Sequence, residues 1–146
     1  MDNLDIKIIS LLQEDGTATN AGIARQVGVS EETVRRRLKR LVQEEYIRVV
    51  ALPDPAKLGY ESEVLMGIQA DADKVDQVAD TLAEFDEVNW VSITTGSYDI
   101  FAWATLRNSE ELSTFLRTKV GVIHGVRRLE TFINLAIKKR KYGVAI

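Results

Sequence analysis

Ile23-Ala24-Arg25-Gln26-Val27-Gly28-Val29-Ser30-Glu31-Glu32-Thr33-Val34-Arg35-Arg36-Arg37-Leu38-Lys39-Arg40-Leu41-Val42-Gln43 holds two short helical patterns joined by a glycine. Asn20 is placed to cap the first, in which Ile23, Ala24 and Val27 share one face; Gly28 breaks it. Ser30 caps the second, with Glu31 and Glu32 in the first turn, where the helix dipole favours negative charge. Ala24, Gly28 and Val34 each have a steric task. A small residue lets the second helix cross closely, a glycine makes the tight turn, and a branched residue packs back. With a preceding apolar helix and a β-rich segment behind, this is the pattern of a DNA-binding helix-turn-helix.

At about 100° per residue, a stripe of Val34, Leu38, Leu41 and Val42 turned to the core leaves Glu32, Thr33, Arg36, Lys39, Arg40 and Gln43 facing outward. Arg35 and Arg37 flank the stripe. From Thr33 to Gln43 there are five basic residues and no acid. A solvated face normally mixes signs for i,i+4 pairing, so one sign favours phosphate contact. Docking geometry brings the amino-terminal half of such a helix to base edges. Thr33 and Arg36 are therefore the expected readers, with Ser30 beside them, and Arg35, Arg37, Lys39 and Arg40 the expected backbone contacts. Glu44 and Glu45 confine the basic surface to this helix. A monomer would bind weakly, and a dimer is expected.

Outward from this motif, Leu4, Ile8, Leu11 and Leu12 form a leading helix that ends near Asp15 and Gly16. Tyr46 to Leu52 is a short β-rich run. Pro53 and Pro55, the only two prolines, mark a linker. Beyond it the pattern alternates. Glu63 to Ala70 reads as a strand and Asp73 to Phe85 as a helix; Val88 to Thr95 and Asp99 to Leu106 are strands joined through Gly96-Ser97-Tyr98. Asn108 and Glu111 make a capping-box pair opening a helix through Leu112, Phe115 and Leu116. Val126 to Lys138 alternates as a last strand, with Leu129, Thr131, Ile133, Leu135 and Ile137 on one face. The expected fold is α+β: an amino-terminal helix-turn-helix (winged-helix-like) domain over 1–50, a linker over 51–60, and a ferredoxin-like βαββαβ sandwich over 61–146.

Composition narrows the chemistry. The 146 residues contain no cysteine and one histidine, which excludes disulfides, thiolate metal sites and two-histidine zinc motifs. His124 belongs to a loop. No catalytic or metal-ligating set emerges. No apolar run approaches the ~20 residues of a membrane helix, and the amino terminus is acidic where a signal peptide is basic, so a cytoplasmic protein with no membrane partner is expected. The net charge of −3 conceals three regions. Residues 1–53 balance at 0, residues 54–111 stand at −10, and residues 112–146 at +7. The basic Lys138 to Lys141 run reads as a solvated terminus, with contact to wrapped DNA as the alternative.

These residues carry a resemblance. The chain resembles the Lrp/AsnC (feast/famine) family of prokaryotic transcription regulators. The match includes Leu4-Asp5-Ile6-Lys7-Ile8-Ile9, Ile23 to Ser30, Thr33 to Leu41, Leu58-Gly59-Tyr60, Val88 to Val91, Thr95-Gly96-Ser97-Tyr98-Asp99, and Gly125-Val126 to Lys138. It departs at Thr17, where the family often has Arg, at Tyr46, a usual Gly position, and at Leu129 and Ile133, where small polar residues are common. The resemblance implies double-stranded DNA as partner, homodimers that often assemble into octamers, and an amino acid or related small molecule as effector, with no other cofactor. It places the effector near the Gly-x-Tyr-Asp loop: Gly96, Ser97, Tyr98 and Asp99, with Thr131 on the last strand. Chemically, backbone N–H groups around Gly96 can receive a carboxylate and Asp99 an ammonium. Equally, Gly96-Ser97 is turn chemistry and Asp99 opens a strand.

Trp90, Phe101, Trp103 and Phe132 fall on strands of a sheet whose second face has no helices. Pairing two such faces across a two-fold axis covers them, and a dimer through the sandwich domain is expected. Rival functions fit less well. An acylphosphatase-like enzyme needs an arginine after the first strand, where Ala70-Asp71-Ala72-Asp73 would repel phosphate. An RNA-binding module of this topology needs basic surroundings, and residues 54–111 are acidic. A DNA-binding regulator or architectural protein without a ligand remains an alternative. So does a small-molecule-sensing oligomer with no DNA role, against which the five cations on one helix weigh.

Overall fold

The computed structural model describes residues 1–144 and 146. The chain divides into two compact units, Met1–Leu52 with Lys141–Ile146, and Pro53–Arg140.

The first unit is three helices: α1 (Asn3–Glu14), α2 (Asn20–Val27) and α3 (Glu31–Gln43). Asp2 caps α1, accepting from the backbone N–H groups of Leu4 and Asp5 at 3.0 Å each, while Asp5 accepts from Asp2 N–H at 2.9 Å. This is a complete capping box. Thr19, not Asn20, caps α2 through Gly22 N–H (3.0 Å); Asn20 is already the first helical residue. Gly28 closes α2 at φ 74° with open space where a Cβ would stand. The left-handed backbone, not a close neighbour, requires glycine there. Ser30 caps α3 as expected.

Ile8, Ile9, Ile23, Ala24, Val34 and Leu41 form the core of this unit, with Leu4, Leu12, Val27 and Ile47 packed around it. The expected stripe on α3 is narrower than its periodicity indicates. Val34 and Leu41 are fully buried and Leu38 half-buried, but Val42 is 45% exposed. The helix is rolled toward its Arg37 side, whose side chain is only 24% exposed. Glu45, at φ 57°, ends α3, and the N–H groups of Glu45 and Tyr46 return to Val42 and Leu41 carbonyls. Tyr46 to Leu52 forms no strand. Its β-rich composition meets no described segment that pairs with it, and a strand exists only where its backbone groups are matched.

The second unit is β1 (Ser62–Ala70), α4 (Val75–Ala83), β2 (Val88–Ile93), β3 (Ile100–Leu106), α5 (Ser109–Phe115) continued by a π-helical turn (Leu116–Val120), and β4 (Val126–Ile133). The strands form one sheet in the order β2-β3-β1-β4, each neighbouring pair antiparallel. This is the ferredoxin-like βαββαβ sandwich. Val64, Met66, Ile68, Ile100, Ala102 and Ala104 face Val78, Leu82, Leu112 and Phe115 and are buried. Asn108 caps α5 through Glu111 N–H (2.8 Å), but the Glu111 carboxylate turns to Arg107 N–H rather than to the cap. β4 stops at Ile133, opposite Val64, short of Lys138. Asn134 N–H still meets Glu63 C=O at 2.9 Å, but Leu135 is 96% exposed.

Candidate nucleic-acid interface and effector loop

α3 carries the cations, and the structure sorts them. Arg36 and Lys39 are exposed and bonded to no other described side chain. Arg35 is paired with Glu32, one turn earlier, its Nε donating at 3.0 Å. Ser30 Oγ and Thr33 Oγ1 lie 2.8 Å apart at the helix start, so the hydroxyl of the half-buried threonine shares the cap.

Arg37 and Arg40 are placed differently from the expected outward array. Arg37 Nη1 donates to Asp2 at 2.6 Å and to Asp5 at 3.2 Å; Arg40 Nη2 donates to Asp5 at 2.6 Å. Asp5 is fully buried. The backbone N–H of Asp5 and the Arg37 guanidinium hold the Asp2 carboxyl at about 2, well below its ordinary value. The same hydrogen bond to Asp2 raises Arg37 above the usual guanidinium range. Sequence reasoning missed these two acids as parts of the interface. Asp2-x-x-Asp5 carries a capping signal, but nothing local announces partners more than thirty residues away.

In the second unit, Thr94 to Asp99 joins β2 to β3. Gly96 sits at φ 113°. Thr94 Oγ1 donates to Tyr98 C=O at 3.1 Å, and Gln69 Nε2 to Ser97 C=O at 2.8 Å. Asp99 is partly engaged: its Oδ2 accepts from Ala70 N–H at 2.9 Å. The Tyr98 ring lies on the helix-free sheet face over Gly67 and meets Phe101 and Phe132 edge-on, with centroids 5.4 and 6.3 Å away. Gly67 was overlooked in the sequence. A lone glycine inside a strand was its only signal, marking a close approach.

The loop residues come together; Thr131 does not join them. It pairs with Met66, whose side chain is in the helix-covered core, and so shares that face, opposite the Tyr98 ring. Trp90, Phe101, Trp103 and Phe132 do share the open face: Trp90 pairs with Trp103, and Leu65 with both Trp103 and Phe132. Among the described residues no helix is long and apolar enough to cross a membrane.

Comparison with known proteins agrees with this geometry. The AsnC-type helix-turn-helix domain matches residues 1–42 and the Lrp/AsnC ligand binding domain residues 63–144. An HTH-type transcriptional regulator of Pyrococcus furiosus is 41% identical over 98% of this chain and 97% of its own length. The structure of Escherichia coli AsnC superposes with a TM-score of 0.89 at 30% identity, covering 97% of each chain. A Neisseria meningitidis transcriptional regulator, solved as a complex with L-Met, shares the fold (TM-score 0.91, 24% identity, 99% of this chain and 96% of that one). The chain belongs to the Lrp/AsnC family of transcriptional regulators.

Proposed function

We propose that this regulator reads double-stranded DNA with α3 as a homodimer and answers to an amino acid held at the loop from Gly96 to Asp99. Thr33 and Arg36 meet base edges, while Ser30, Arg35 and Lys39 contact phosphates. The observation that carries the reading is the outward face of α3, where Arg36 and Lys39 stand exposed, without side-chain partners among the described residues, on the second helix of a helix-turn-helix. Solvent-facing apolar rings support dimerisation through the open sheet face, Trp90 being 52% and Phe132 42% exposed. Octamers are the larger assembly that the family resemblance implies. As a prokaryotic-type regulator working on DNA, the protein acts in the cytoplasm.

The L-Met complex of the Neisseria regulator supports an amino-acid effector. At the loop, backbone N–H groups around Gly96 receive its carboxylate and the free oxygen of Asp99 its ammonium. A regulator without a ligand is the second reading, favoured by the bond from Ala70 N–H that already occupies one Asp99 oxygen. Fluorescence anisotropy on a duplex from the upstream region of its own gene, with and without each amino acid, separates the two. A shift in affinity or assembly with one amino acid is expected. Binding indifferent to all of them selects the ligand-free regulator, and no binding to any duplex removes the DNA role.

A further inference from the structure

The cations of α3 are not one array. Asp5 is fully buried and accepts three hydrogen bonds: Asp2 N–H at 2.9 Å, Arg37 Nη1 at 3.2 Å and Arg40 Nη2 at 2.6 Å. Asp2 adds a second oxygen to Arg37 at 2.6 Å. Together the two carboxylates at the start of α1 take the heads of both arginines, leaving Arg40 Nε buried without a partner. For Arg40 to swing to a phosphate it would have to leave a fully buried carboxylate short of a counter-charge, which is among the costliest changes a small domain can make. Arg36 and Lys39 pay no such penalty. Arg35 exchanges only an exposed carboxylate, Glu32, for a phosphate.

We propose that Asp5 is a positioning residue for DNA reading: it withholds Arg37 and Arg40 from the phosphates and pins the carboxy-terminal half of α3 to the start of α1. An apolar contact would pin the helix as well, but it would leave two guanidinium groups free to bind any duplex. By holding them, Asp5 lowers the sequence-independent share of binding and leaves recognition to Thr33 and Arg36 at the other end of the helix. The assignment rests on the DNA-binding reading above.

The salt dependence of binding counts phosphate contacts, and a change in stability alone does not move it. The test uses the full chain and a labelled random-sequence duplex, with affinity measured across a potassium chloride series and folding checked by thermal melts. Arg36→Gln and Lys39→Gln are each expected to flatten the log–log slope by about 0.9 per protomer. Arg37→Gln and Arg40→Gln should leave it unchanged. Asp5→Asn should steepen it as the freed Arg40 finds phosphate. If Arg37→Gln or Arg40→Gln flattens the slope as much as Lys39→Gln does, or if folded Asp5→Asn keeps the wild-type slope, the assignment is overturned. Should Asp5→Asn or Arg40→Gln fail to fold, Arg37→Gln decides, because Arg37 also holds the exposed Asp2. A wild-type chain that binds no duplex at the lowest salt overturns the DNA-binding reading itself, a different result from any of these.

Discussion

The Tyr98 ring rests on the backbone of Gly67, so close that a Cβ at position 67 would stand 2.9 Å from Tyr98 Cδ1 and 3.0 Å from Cγ. This contact ties the β2–β3 loop to the centre of the sheet. It also turns a tyrosine of the candidate effector loop toward the open face, where Phe101 and Phe132 receive its edges. Gly67→Ala is expected to displace the ring and to cost about 1–3 kcal/mol, as overpacking does. Chemical denaturation measures the loss. A variant as stable as the wild type would show that the ring yields freely.

Asp99 has two prospective tasks, and one substitution separates them. Asp99→Asn keeps an oxygen for Ala70 N–H but loses the charge that an ammonium needs. It should fold like the wild type and lose the effector response. Asp99→Ala should lose the response and also about 1–3 kcal/mol of stability, since Ala70 N–H is left without its acceptor. An intact effector response in Asp99→Asn would remove this residue from the site.

Arg36→Ala should weaken binding to a specific site by about 1–3 kcal/mol and binding to random duplex by less, whereas Lys39→Ala should weaken both alike. Parallel titrations on the two duplexes measure the ratio. Equal losses for Arg36→Ala on both would make it a phosphate contact rather than a reader.

The Asp2–Arg37 pair sets a pH signature. The Asp2 carboxyl is held at about 2, below its ordinary value of 3.8, so its contribution is complete above the ordinary value and lost as pH falls through about 2. Asn at this position still accepts the capping bonds from Leu4 and Asp5, so Asp2→Asn isolates the charge. The melting-temperature gap between wild type and Asp2→Asn should be constant from about pH 7 to pH 5 and close between about pH 4 and pH 2. A gap that persists to the lowest pH would assign the effect to the cap instead.

Trp90→Glu and Phe132→Glu place charges on the open sheet face, where Trp90 is paired with Trp103 and Phe132 with Leu65. Sedimentation at micromolar concentration should show the wild type above the 16.4 kDa of one chain and the variants shifted toward it. A wild type that sediments as a single chain would contradict dimerisation through this face.

Much of this protein is legible along the chain because much of it is local. The helix start at Ser30, the turn at Gly28, the βαββαβ order and the four rings on one sheet face all follow from caps, turn chemistry and periods of 3.6 and 2. Periodicity names a face but not the neighbour that face meets. So the tertiary structure alone decided that Asp5 receives Arg40 across 35 residues, that the roll of α3 leaves Val42 exposed, and that β4 ends opposite Val64 instead of running on to Lys138. It also turned Thr131 away from Tyr98. Side-chain alternation assigns a strand's faces only relative to one another, and the register with Met66 determines which of them is covered by helices.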